Sequence, residues 1–215
     1  MKKSLPTKPT FEYELPLWNS GMRYIAGVDE VGRGCFAGPV VAAAVILPQG
    51  FDVTDKINDS KKLSPKVRKE LSEIIKKHAL SYAIAEVSVF VINNIGIGKA
   101  AQQAFVNAIS GLKINPDHIL IDAFYIQALQ KGNQTPIIHG DGISISIAAA
   151  SIIAKVHRDE LMEQFHNDKN YEVYDFFTNK GYGTAKHRAA IGQHGLCDLH
   201  RTSFNLEKFL PQSSY

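Results

Sequence analysis

The chain alternates between short apolar runs and longer stretches in which apolar residues recur at helical spacing. "RYIAGVDE" and "VVAAAVILP" are apolar runs of strand length separated by glycines, which predicts two strands joined by a tight turn. "LSPKVRKELSEIIKKH" predicts a helix with Ser64 as N-cap and Pro65 at the first helical position. Val67, Leu71, Ile74 and Ile75 then fall on one face, and the basic side is expected to point outward. "SYAIAEVSVFVI" predicts a strand. "GKAAQQAFVNAISGL" carries Ala101, Ala104, Phe105, Ala108 and Ile109 at helical spacing and is expected to stop at Gly111. "DHILIDAF" and "TPIIHGDG" predict buried strands, each followed by an aspartate, and "SISIAAASIIAKVHRDELMEQF" predicts a long Ala-rich helix able to pack closely on a sheet. Strands alternating with helices predict an α/β domain with a mixed sheet. An N-terminal arm is expected over 1–20, the α/β domain over 21–170, and loops with short helices over 171–215.

The 215 residues and 45% hydrophobic content suffice for one sizeable core. Net charge is +3, a mild bias toward acidic partners. Its distribution says more. Lys61, Lys62, Lys66, Arg68, Lys69, Lys76 and Lys77 crowd one stretch, and Lys180, Lys186, His187 and Arg188 another. These are two candidate phosphate-binding patches, or two solvated faces. Cys35 and Cys197 form neither a disulfide framework nor a Cys-x-x-Cys pair. No secretory h-region and no run of about 18 apolar residues is present, so a cytoplasmic protein without membrane contact is expected.

The candidate chemistry lies where apolar runs end. Asp29-Glu30 follows "YIAGV", Asp122 follows "HILI", and Asp141 follows "PIIHG". This places the acids at the C-terminal edge of the sheet, where open α/β folds bind ligands. Carboxylates about 4 Å apart repel by roughly 1 to 4 kcal/mol per pair, so such a cluster calls for protons or cations. Oxygen-only donors favour Mg²⁺ or Mn²⁺ over zinc. The other reading makes each acid a turn or cap residue, Asp141 before Gly142 above all. Nucleotide motifs fail. "GRGCFAG" is mis-spaced for G-x-G-x-x-G and is followed by a strand. "NNIGIGKA" lacks the first P-loop glycine and the Ser or Thr after Lys99. His187, His194, Cys197 and His200 match no common zinc spacing.

Six segments together resemble the bacterial ribonuclease HII family: "GVDEVGRGCFAGPVVAAAVILP", "INDSKKLSPK", "ILIDAF", "GDGISISIAAASIIAKVHRDELM", "NKGYGTAKH" and "HRTSF". They stand in the family's order and span nearly all of the chain after Ser20. The resemblance implies an RNase H-like fold, a mixed five-stranded sheet flanked by helices, with a small C-terminal helical extension that completes the substrate site. It implies endonucleolytic cleavage of RNA in RNA–DNA hybrids and at single ribonucleotides in duplex DNA, and a role in ribonucleotide excision repair; a monomer is expected. Carried over by position, Asp29, Glu30, Asp122 and Asp141 match four catalytic, metal-binding carboxylates. Gly32, Arg33 and Gly34 match a loop whose backbone reads the 2′-hydroxyl, and Tyr182 matches a tyrosine that packs on the neighbouring sugar. Lys61 and Lys62 are expected to hold backbone phosphate. Two departures stand out: Ala123 replaces a usual glycine, and His139 a common lysine. Asp159 competes with Asp141 as fourth acid, though its mid-helix position favours a salt bridge.

The expected chemistry is two-metal hydrolysis with Asp29 bridging. Adjacent side chains on a strand diverge, so joint ligation by Asp29 and Glu30 requires the strand to end or bend there. Another RNase H-like nuclease and a non-catalytic nucleic-acid-binding module are the alternatives. The latter gains nothing from carboxylates facing phosphates.

Overall fold

The computed structural model describes residues 8–51, 56–61 and 63–210, so Lys62 lies outside the described residues. Strands β1 (Ile25–Val31), β2 (Val40–Ile46), β3 (Ser81–Val87), β4 (His118–Asp122) and β5 (Gln134–Ile137) form one sheet in the order β3-β2-β1-β4-β5. The β1–β2 and β2–β3 pairs are antiparallel, whereas β1–β4 and β4–β5 are parallel. This is the expected mixed five-stranded sheet. The helices are α1 (Glu14–Asn19), α2 (Pro65–His78), α3 (Val89–Ile95), α4 (Ile97–Ser110), α5 (Ile145–His166), α6 (Phe176–Asn179) and α7 (Ala185–His194).

Side-chain alternation divides the core into two layers. Ala26, Val28, Ala42 and Ala44 point toward Ala100, Ala104, Phe105 and Ala108 of α4. Val41, Ala43 and Val45 point the other way, toward Leu71 and Ile75 of α2 and the alanine-rich half of α5. Small residues set how near α5 can lie. A Cβ on Gly27, mid-β1, would sit 2.0 Å from the Ser146 carbonyl carbon, so only glycine lets the central strand touch that helix.

Ser64 caps α2 through Val67 N–H with Pro65 at the first turn, as the sequence predicts. The predicted apolar face is rotated. Val67 is exposed and Arg68 is buried, its guanidinium donating to the Ser60 and Leu63 carbonyls and to Asp159. The expectation that this helix turns its basic side wholly outward is therefore corrected: Arg68 has carbonyl and carboxylate partners inside. The third predicted strand stops at Val87, where the Ser88 side chain accepts from Val91 N–H and opens α3. The β1–β2 connection is not a tight turn either. Residues 32–39 form a loop bonded along its length to the C-terminal tail. The stretch before Ser20, predicted without periodicity, contains the short helix α1. Its Glu14 is fully buried, accepting from the Ser144 hydroxyl and Ser146 N–H at the start of α5.

Candidate active site

Parallel pairing carries the ends of β1, β4 and β5 to one edge of the sheet. Asp122 is the last residue of β4, opposite Ile137 at the end of β5. Asp141 follows in a 3-10 turn over Gly140–Gly142 that leads into α5. Asp29 and Glu30 lie inside β1, which continues to Val31 before Gly32 turns the chain at φ +92°. The strand runs one residue past the pair before it turns, and the two side chains leave it in different directions, yet both stay close enough to Asp122 for its charge to raise each of them, so the end of the strand suffices to bring both to this edge. Asp29 is buried within reach of the Ser151 hydroxyl on α5, and Glu30 lies toward Arg33, whose guanidinium donates to it at 3.2 Å.

Burial and neighbouring charge shift Asp29, Glu30 and Asp122. Burial, then the charges of Glu30 and Asp122, raise the Asp29 carboxyl well above its usual range, against the Ser151 hydroxyl. Burial pushes Glu30 up to about 7 even with Arg33 working the other way. Burial also raises Asp122, although its Oδ1 accepts Gly140 N–H at 2.7 Å. Asp141 is buried and receives Lys61 Nζ at 3.1 Å. Burial works against the Lys61 charge, but Asp141, with Asp59 and Asp29, outweighs it and raises the lysine. Asp159 stands apart in an ion triad, Oδ1 to Lys155 Nζ at 2.6 Å and Oδ2 to Arg68 at 3.2 Å.

Carboxyls raised by burial and by one another's charge mark an edge short of positive charge, and its oxygen donors suit a hard divalent cation. Among the described residues no three His, Cys, Asp or Glu side chains close into a ready cage.

The Gly32-Arg33-Gly34 loop is fixed from behind. Arg158 of α5 is fully buried and donates to the carbonyls of Pro39, Lys180 and Ala37. Arg201 in the tail is equally buried and donates to those of Arg33, Gly38 and Pro39. Phe36 N–H donates to Gly181 O, Gly38 N–H to Leu199 O, and Arg201 N–H to Phe36 O. Gly32 is required by this packing, since a Cβ there would lie 2.3 Å from Arg158 Nε. Gly34 faces open space. The two glycines thus serve different ends: one admits a buried guanidinium, the other leaves the backbone bare. Nothing local in the sequence marks Arg158 or Arg201, because their acceptors are backbone carbonyls far away along the chain.

Tyr182 stands beside this loop, 41% exposed, with Lys155 and Arg158 near its ring. Its carbonyl is held by the histidines that invited a zinc reading. Cys197 N–H donates to His200 Nδ1, which leaves the His200 proton on Nε2, facing His187 Nε2 at 3.0 Å; His187 Nδ1–H then donates to Tyr182 O. The chain of bonds closes only with both rings neutral. Burial lowers His187 and takes His200 down to about 4, the closeness of the His187 ring opposing a second positive charge. The pair supports the tyrosine's segment.

The family model described as Ribonuclease HII matches residues 26–207. A ribonuclease HII of Syntrophus aciditrophicus is 47% identical over 201 residues, covering 94% of this chain and 93% of that protein. Among solved structures, the ribonuclease HII in a PCNA complex from Archaeoglobus fulgidus superposes with TM-score 0.70 at 25% identity, covering 84% of this chain and 95% of that one. Bst-RNase HIII in complex with Mn²⁺ superposes with TM-score 0.64 at 19% identity, over 87% of this chain and 69% of that one, and shares the fold.

Proposed function

The chain belongs to the ribonuclease HII family, RNase H-type metal-dependent endoribonucleases, and from that premise we propose that it cuts duplex DNA on the 5′ side of a single embedded ribonucleotide. On the same reading it hydrolyses the RNA strand of RNA–DNA hybrids, and both reactions leave 5′-phosphate and 3′-hydroxyl ends. The observation that carries the reading is the bare backbone at Gly34, one turn past Asp29 and Glu30, in a loop that two buried arginines hold still. A donor or acceptor on that backbone can approach a ribose 2′-hydroxyl, the one group that separates RNA from DNA at a given position.

Asp29, Glu30, Asp122 and Asp141 are the residues that would hold two Mg²⁺ or Mn²⁺ ions, which when bound supply charge for the attacking water and for the leaving 3′ oxygen. The protein's own contributions are positional. Ser151 and the Glu30 N–H orient the Asp29 carboxylate, and Gly140 N–H orients Asp122. Lys61, exposed beyond its bond to Asp141, meets backbone phosphate, and Lys62 is assigned the same role. The Tyr182 ring packs on the sugar beside the ribonucleotide. On this reading the tail over 171–215, described as far as Leu210, is part of the substrate site appended to the 21–170 domain, and the enzyme acts as a monomer. A binding module without catalysis is disfavoured, because a cluster of carboxylates facing phosphates repels a polyanion and costs affinity unless cations bind there. Asp29→Asn tests the assignment: cleavage of a single-ribonucleotide duplex should vanish while the thermal transition is retained, and turnover like the wild type would remove Asp29 from the reaction.

A further inference from the structure

Beside the carboxylate edge, on the α4 side of the sheet, runs a groove of about 570 Å³ to which no role has been given. Its lining includes Arg33, Lys99, Lys131, Phe124, Tyr125 and Gln102, and no acidic side chain. In a chain with 21 acids that exclusion gives the groove a single sign of charge. Phe124 and Tyr125 are 54% and 44% exposed although each is large and apolar. Each ring already carries a cation, Arg33 5.3 Å from the Phe124 centroid and Lys131 5.7 Å from that of Tyr125. The backbone that bears the rings is held in place. Gln102 donates to Tyr125 O and accepts from Gln127 N–H, tying their loop to α4. Phe124 follows Ala123, whose φ of +66° is anchored by its N–H on Ile137 O.

Open aromatic faces interleaved with cations are the surface on which unpaired bases stack while phosphates are neutralised. A paired duplex presents phosphates and sugars and keeps its base faces covered, so it would use the cations and leave the rings idle. Arg33 joins this groove to the Gly32-Arg33-Gly34 loop, so a strand leaving the cut site can enter it without a break. Resting on the function proposed above, we infer that this groove takes single-stranded nucleic acid flanking the ribonucleotide, stacking its unpaired bases on Phe124 and Tyr125. Such an enzyme grips a ribonucleotide best next to a gap, a frayed end or a mismatch.

The test compares the wild type with Tyr125→Ala, Lys131→Ala and the double variant, residues outside the proposed catalytic and ribose-reading set. One substrate is a fully paired duplex with a single ribonucleotide. Two others carry a shortened complement that leaves the ribonucleotide strand unpaired on the 5′ or the 3′ side, and a fourth replaces the unpaired bases by abasic sites. Binding and KM are measured for each. The expected result is at least about fivefold weaker binding by the double variant on one unpaired-flank substrate. The paired duplex should be cleaved with unchanged kcat, and the abasic flank should lose the wild-type advantage. Equal loss on paired and unpaired substrates would reduce the groove to a general phosphate patch and overturn the inference, as would no loss at all. If the wild type fails to cleave the paired duplex, the proposed activity is at fault, and binding to the unpaired flanks still decides the groove.

Discussion

Replacing Glu30 by Gln should stabilise the metal-free protein at neutral and alkaline pH, by an amount the geometry sets. Burial, opposed by Arg33, takes the Glu30 carboxyl from 4.5 to about 7. A carboxyl harder to ionise in the folded chain than in the unfolded one leaves the fold untouched at low pH, where both forms are protonated. As pH rises past the unfolded value only the unfolded chain gains by ionising, so stability falls until the folded value is reached and is level above it. At about 1.4 kcal/mol per pH unit the loss amounts to roughly 3 kcal/mol. Glutamine imitates the protonated acid and escapes it. Removal of the charge also lifts Glu30's share of the repulsion on Asp29, which acts in the same direction. For a chain of this size the gain corresponds to a melting temperature higher by about 6 to 12 °C. Scanning calorimetry in EDTA at pH 8 and pH 4 measures it: Glu30→Gln should melt well above the wild type at pH 8 and level with it at pH 4. Added Mn²⁺ or Mg²⁺ should narrow the gap by stabilising the wild type more. Equal melting at pH 8, or a gap that is the same at both pH values, would refute the account of a charge-starved carboxylate edge.

Arg201→Lys should destabilise the protein by about 2 to 4 kcal/mol, since a single ammonium cannot serve the carbonyls of Arg33, Gly38 and Pro39 together, and urea unfolding reads the loss. Lys61→Ala should lower the salt slope of duplex binding by about 1, as expected for one phosphate contact, and an unchanged slope in a titration would leave Lys61 only its bond to Asp141. His200, held down near 4 against an ordinary 6.5, resists protonation in the fold. Stability should therefore drain away as pH falls from about 6.5 toward 4, and His200→Gln should flatten that acid limb of the melting curve. An acid limb of unchanged slope would clear the histidine pair of the effect.

The sheet and its helices were legible because their apolar periodicity is strong, and the acids because each ends an apolar run. Most of what escaped was side chains whose partners lie far off in sequence. Arg158 and Arg201 look like surface cations until the loop at Pro39 folds over them, and Arg68 looks like part of a basic face until Asp159 comes alongside. Glu14 sits in a segment with no periodicity, yet its carboxylate binds the start of α5, next to the turn that bears Asp141. The start of α3 was hidden because Ser88 interrupts a run apolar enough to pass for strand, and only its cap bond to Val91 reveals the change. The pairing of Asp29 with Glu30 was visible, but their divergence needed the observed extent of β1, one residue further than the pair.

The central claim, that ribose recognition by the Gly32-Arg33-Gly34 backbone directs hydrolysis by water at the acidic edge, is tested most directly by end-group analysis. A DNA duplex with one ribonucleotide is incubated with the enzyme in Mg²⁺ or Mn²⁺ and in EDTA, beside the same duplex made wholly of DNA. The account predicts a metal-dependent cut on the 5′ side of the ribonucleotide, with 5′-phosphate and 3′-hydroxyl products and an intact all-DNA control. A 2′,3′-cyclic phosphate would show that the ribose itself attacked, and equal cutting of the all-DNA duplex would show that the loop reads no hydroxyl.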